Sequence, residues 1–118
     1  MKIKNIDNFF LPSQDMQKSK DFYAEVLGLS LKFDFSAKGM VAYNIGDEEP
    51  AIILKDVTHF PDMKPTIWFE VENVKNIYEE LMDKGVVFLS EPFKIKTGWA
   101  VELTDPSGNR LGLTDYQQ

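Results

Sequence analysis

Two glutamates stand inside strand-like runs: Glu70 in Thr66-Ile67-Trp68-Phe69-Glu70-Val71, and Glu102 between Trp99 and Thr104. A carboxylate in mid-strand on an inward face needs a partner, so a pair of them suggests acid–base work or capture of a cation, unless curvature or a strand end leaves them in water. The aromatic residues Phe10, Phe33, Tyr43, Trp68 and Trp99 are of the kind that walls small-molecule sites by stacking, or else fills a core or a dimer contact. There is one histidine, His59, in a polar stretch with two prolines, and it reads as an ordinary surface or packing residue. No cysteine is present, which excludes thiol nucleophiles, disulfides and thiolate zinc sites.

The elements that must position these residues follow from periodicity. Ile6 to Leu11 reads as a strand ended by Pro12. Asp15 then opens a helix whose apolar face is Phe22, Tyr23, Val26 and Leu27, and Gly28 closes it. Leu29 to Phe35 alternates, and Val41–Ile45 and Ala51–Leu54 follow as strands joined at Gly46-Asp47. After the connection the pattern repeats: strand Thr66–Val71, helix capped by Asn73 with Val74, Ile77, Tyr78, Leu81 and Met82 on one face, then Gly85. Short strands at Val86–Phe88 and Trp99–Thr104, a turn at Asp105-Pro106-Ser107-Gly108-Asn109, and Arg110–Thr114 complete it. Phe93 to Gly98 reads as a hairpin loop or, less simply, as a mobile rim hinged at Gly98.

Laying Asn8 over Thr66 brings Leu11 over Phe69 and Asp15 over Asn73, and a one-residue slip brings Gly28 over Gly85. The chain is therefore a duplication, and neither copy could bury its sheet face alone. The expectation is an α+β fold of two tandem βαβββ modules, forming a cupped mixed sheet with the helices on its outer face. One domain spans residues 1–118, with module 1 at about 1–56, a connection at about 57–65 and module 2 at about 66–118. The 118 residues carry 13 Lys plus Arg against 19 Asp plus Glu, a net charge of -6 that disfavours nucleic acid and anionic membranes as partners. No run approaches the roughly 20 apolar residues of a membrane span, and the start lacks a signal-peptide core, so the expected location is cytoplasmic.

Each helix must cover the uniformly apolar sheet face, Phe9 and Leu11 in the first copy and Ile67, Phe69 and Val71 in the second. Strict alternation then leaves Asn8, Phe10, Thr66, Trp68 and Glu70 on the opposite face, with Tyr43, Ile53, Ala100, Glu102, Gly112 and Thr114 from the later strands. A cupped sheet would gather these around a cavity.

The stretch Leu11-Pro12-Ser13-Gln14-Asp15, then Ser19-Lys20-Asp21-Phe22-Tyr23-Ala24-Glu25-Val26-Leu27-Gly28-Leu29, joined to the turn Asp105-Pro106-Ser107-Gly108-Asn109-Arg110-Leu111, resembles the vicinal oxygen chelate superfamily. That group includes glyoxalase I, extradiol dioxygenases, and fosfomycin- and bleomycin-resistance proteins, and the pattern here is nearest to the metal-free bleomycin-resistance-like branch. The resemblance implies paired βαβββ modules and, commonly, a homodimer. It also implies that enzymes of the group hold a divalent metal through the first and last strands of each module, with His, Gln or Glu as ligands. Carried over, those positions are Asn8, Thr66, Ile53 and Gly112. Asn8 offers an amide oxygen and Thr66 a hydroxyl, whereas Ile53 and Gly112 offer no side-chain donor, so neither a metal nor another cofactor is expected. A substitute site of Glu70, Glu102 and Asn8 would suit only a hard cation on oxygen ligands.

Three readings remain at this level. The leading one is a small-molecule binding protein whose pocket comprises Asn8, Phe10, Phe33, Tyr43, Ile53, Thr66, Trp68, Glu70, Trp99, Glu102 and Gly112, for an amphipathic or aromatic ligand, with a cation favoured by the glutamates. It assigns no catalytic residue. The others are a metal-dependent lyase, isomerase or dioxygenase of the glyoxalase type, and a non-catalytic interaction or regulatory module whose cup its own side chains fill.

Overall fold

Both helices start at a capping side chain in the computed structural model, which describes residues 2–117, with Glu48 and Glu49 as backbone only. Asp15 accepts from the Lys18 N–H at 3.1 Å to open α1 (Met16–Asp21). Asn73 accepts from the Asn76 N–H at 3.0 Å to open α2 (Val74–Asp83). The strands are β1 (Ile3–Ser13), β2 (Ser30–Phe35), β3 (Met40–Ile45), β4 (Glu48–Asp56), β5 (Thr66–Val71), β6 (Val87–Phe88), β7 (Phe93–Ile95), β8 (Gly98–Thr104) and β9 (Arg110–Thr114). The α+β expectation and the repeated unit are both met, with β7 an addition. It forms in the stretch read as a loop, pairing Phe93 with Ala100 and Ile95 with Gly98 around a tight turn at Lys96-Thr97.

The chain divides into two compact units, Asn8–Pro65, and the residues up to Asp7 together with those from Thr66 onward. β1 is long enough to serve both: its first residues belong with the second unit, and Asn8–Ser13 with the first. Strand order in the first unit is β2-β3-β4-β1 and in the second β6-β8-β9-β5, so one arrangement occurs twice. In each, the first strand runs parallel to the last, β1 to β4 and β5 to β9, and the remaining pairs are antiparallel. Each sheet is therefore mixed.

A helix covers one face of each sheet. In the first unit Val41, Tyr43 and Leu54 form the buried core, joined by Leu11 and Ile52 from the sheet and Met16, Tyr23 and Ala24 from the helical segment. In the second, Val71, Val101, Leu103 and Leu113 meet Val74, Leu81, Ile77 and Tyr78 of α2. Phe22, Val26 and Leu27 depart from the expected single buried face. After Asp21 the helix widens into a turn with the Leu27 N–H bonded to the Phe22 carbonyl at 2.9 Å, a five-residue spacing that rotates the following side chains off the α-helical stripe. Tyr23 packs inward, while Phe22, Val26 and Leu27 stay 47%, 70% and 52% exposed.

Candidate functional site

The sheet face opposite each helix follows from cross-strand register, because directly paired residues point the same way. In the first unit Asn8 pairs with Ala51, Phe10 with Ile53, Ile53 with Ala42, and Ala42 with Phe33. Asn8, Phe10, Ile53 and Phe33 therefore share the face opposite the helix, as expected. Phe33 gets there through a bulge: Leu31 pairs with Tyr43 and Phe33 with Ala42, so these two β2 residues face opposite ways. Phe33 stacks on Phe35 at 4.9 Å.

Tyr43 is a correction. Ala42 pairs with Ile53, which puts Tyr43 beside Ile52 on the helix face, 2% exposed and stacked on Tyr23 at 5.9 Å. Its hydroxyl donates to the Lys20 carbonyl at 3.5 Å, and burial pushes that hydroxyl's pKa above the ordinary value.

In the second unit Trp68 pairs with Gly112, Gly112 with Glu102, and Glu70 with Thr114, so Thr66, Trp68, Glu70, Glu102 and Gly112 share the face opposite α2. A Cβ added to Gly112 would run into the Trp68 indole, so glycine lets the ring lie against the bare backbone of β9. Trp99 is the second correction. It alternates with Ala100 and falls on the α2 side, packed with the core, and Lys75 Nζ lies 3.6 Å from the centre of its ring.

Both glutamates have cationic neighbours. Lys4 Nζ lies 3.5 Å from Glu70 and 3.3 Å from Glu72, and Asn5 donates to Glu70 at 3.4 Å. The hydrogen bond to Glu72, with both carboxylates' charge, holds the Lys4 ammonium pKa above its usual value. Arg110, two residues before Gly112 on the same face of β9, lies 3.9 Å from Glu102. In the first unit Lys55, two residues after Ile53, sits over Phe10 at 4.4 Å and over Phe60 at 4.7 Å. Lys4, Arg110 and Lys55 went unnoticed in the sequence. Alternation from Gly112 and Ile53 was a sufficient signal for Arg110 and Lys55, since i and i+2 share a face.

The divalent metal implied by the superfamily resemblance does not fit these residues. Ile53 and Gly112 bring no donor, and the Trp68 indole takes the space into which a side chain at Gly112 would extend. Among the described residues no three His, Asp or Glu side chains gather into a group able to hold a metal ion. The glutamates of the substitute site, Glu70 and Glu102, are each engaged by a cation. His59 lies in the connection, its ring against Gly39, where an added Cβ would come within 2.7 Å of it.

Comparison with known proteins gives four matches. The profile of the Glyoxalase/Bleomycin resistance protein/Dioxygenase superfamily matches residues 5–113. The uncharacterized protein YetH of Bacillus subtilis (strain 168) is 30% identical over 113 residues, which are 91% of this chain and 94% of YetH. Among solved structures, the hypothetical protein BH1468 from Bacillus halodurans C-125 superposes with a TM-score of 0.74 at 17% identity, covering 96% of this chain and 94% of that one. Methylmalonyl-CoA epimerase from Mycobacterium tuberculosis superposes with a TM-score of 0.76 at 13% identity, covering 98% and 90%.

Proposed function

Since the chain belongs to the glyoxalase/bleomycin resistance protein/dioxygenase superfamily, we propose that it binds a small amphipathic or aromatic molecule, without a metal ion, through the sheet faces opposite its helices. The residues assigned to binding are Asn8, Phe10, Phe33 and Ile53 in the first unit, and Thr66, Trp68, Glu70, Glu102 and Gly112 in the second. The observation that carries this reading is the Trp68–Gly112 pair: where the resemblance would put a metal ligand, this chain has a glycine with an indole laid over it. That exchanges a coordinating position for a buried aromatic wall. Lys4 and Arg110 offset the charge of Glu70 and Glu102, so the apolar body of the ligand, rather than a positive charge, dominates recognition.

Titration with a panel of aromatic amphiphiles, bleomycin included, tests this by equilibrium dialysis and by the Trp68 indole N–H signal in ¹H–¹⁵N spectra. The expected result is at least one compound that moves the Trp68 signal and binds more weakly to Trp68→Ala. The proposal fails if no compound binds at about 1 mM, the weak end of specific recognition.

For the homodimer that the resemblance implies, the exposed Phe22, Val26 and Leu27 are the surface that a second copy would cover. A monomer at every concentration in sedimentation analysis removes that assignment. No helix among the described residues is long and apolar enough to cross a membrane, and the cysteine-free composition suits a cytoplasmic setting, which cell fractionation checks.

A further inference from the structure

A cavity lies in the second unit, on the α2 side and away from the sheet face just described. It is an open depression of about 320 Å³, lined by Lys75, Tyr78 and Glu79 of α2, Glu91 and Pro92 of the β6–β7 connection, and Trp99 of β8. That volume is at the lower end of small-molecule sites. Tyr78 is held by Phe88, ring centres 4.6 Å apart, so the apolar wall is fixed by the core.

The charges around Trp99 are arranged unusually for a helix surface. Lys75 and Glu79 are four residues apart, one above the other on α2, and so are within reach of each other. Lys75 instead places its ammonium 3.6 Å from the indole centre, with Lys94 farther off at 5.6 Å. Among the described residues neither Glu79 nor Glu91 has an ion-pair partner.

We propose that this cavity is a site for a small organic cation, an alkyl- or arylammonium on an apolar body, and that Lys75 is its built-in occupant. The ring already holds an ammonium, which demonstrates the chemistry the ligand would use. An arriving ammonium takes the place over Trp99 while its apolar body lies against Tyr78 and Pro92. The displaced Lys75 turns to Glu79 one helical turn away, and Glu91 supplies the counter-charge to the ligand. An arylcarboxylate would make the opposite choice, pairing with Lys75 and Lys94 and leaving both glutamates unpaired.

The test uses the whole chain and follows the Trp99 indole N–H signal, identified by its loss in Trp99→Phe, during titration with benzyltrimethylammonium and, separately, 3-phenylpropionate. The cation is expected to move the Trp99 signal and the carboxylate to leave it in place. Lys75→Met, an exposed substitution, is expected to tighten cation binding about fivefold by vacating the ring, on the scale of one cation–π contact. Glu91→Gln is expected to weaken it. Lys84→Met removes the same charge from the end of α2 without touching Trp99, and should leave affinity unchanged. The proposal is overturned if 3-phenylpropionate moves the signal and the cation does not, if Lys75→Met fails to tighten binding, or if Lys84→Met tightens it equally. A response of the Trp68 signal alone would support the sheet-face site and overturn this one.

Discussion

Asp115 is 1% exposed and accepts three backbone N–H groups, from Val74 at 2.7 Å, Trp99 at 2.9 Å and Gln117 at 3.1 Å. It thereby ties the first turn of α2 to the start of β8. Asp115→Ala would leave those donors without their acceptor and should cost about 2–4 kcal/mol, read as a lower melting temperature. Gly98 is its counterpart, because an added Cβ would collide with the Asp115 carboxylate and main chain. Gly98→Ala should therefore destabilise by about 1–3 kcal/mol although it only adds a methyl group. Asp34 shows the pH dependence of a surface pair. Lys20 at 2.9 Å, with the Ser36 N–H at 2.9 Å, lowers its carboxyl to about 2. A depressed folded value means that the contribution is complete above the unfolded carboxylate range near 4 and is lost as pH falls through about 2. Carboxyl NMR should give that midpoint, and Lys20→Met should move it upward. None of the three pairings could be anticipated from residue types alone, since each joins residues whose proximity depends on the fold.

The elements themselves were largely legible. The caps at Asp15 and Asn73, the glycines after each helix and the alternation in β1, β5, β8 and β9 are local signals, and each element formed where its signal lay. Asn73→Ala should cost about 1 kcal/mol in thermal unfolding, the usual loss of a helix cap, with Asp115 still holding the Val74 N–H. The failures arose where a local period does not settle the phase. β3 reads Val41-Ala42-Tyr43-Asn44-Ile45, apolar at adjacent positions, so either face fits until pairing with β4 selects one. The bulge in β2 and the wide turn after Asp21 likewise break a period that the sequence continues through. Gly112 belongs to this scale because its role appears only across strands. Gly112→Ala should displace the Trp68 indole, lowering stability by about 1–3 kcal/mol and shifting the tryptophan emission to the red.

For the molecule as a whole, the donor-poor positions lead to a simple expectation. Adding Zn²⁺, Ni²⁺ or Mn²⁺ should leave the melting temperature unchanged, whereas a ligand present at 100 times its Kd would add about 2.7 kcal/mol to stability. A clear metal-dependent rise would reverse the assignment of Ile53 and Gly112 as non-ligands. The two-copy organisation, the superfamily and the donor-poor positions were all readable from the chain, because repeat spacing, caps and residue chemistry are written in order along it. The partners of Glu70 and Glu102, the turning of Tyr43 and Trp99 toward the helices, and the cavity beside α2 were decided by tertiary structure. Each depends on which strands lie side by side and in what register. A period of two along a strand names two faces, and only the packing of the helix decides which of them is buried beneath it.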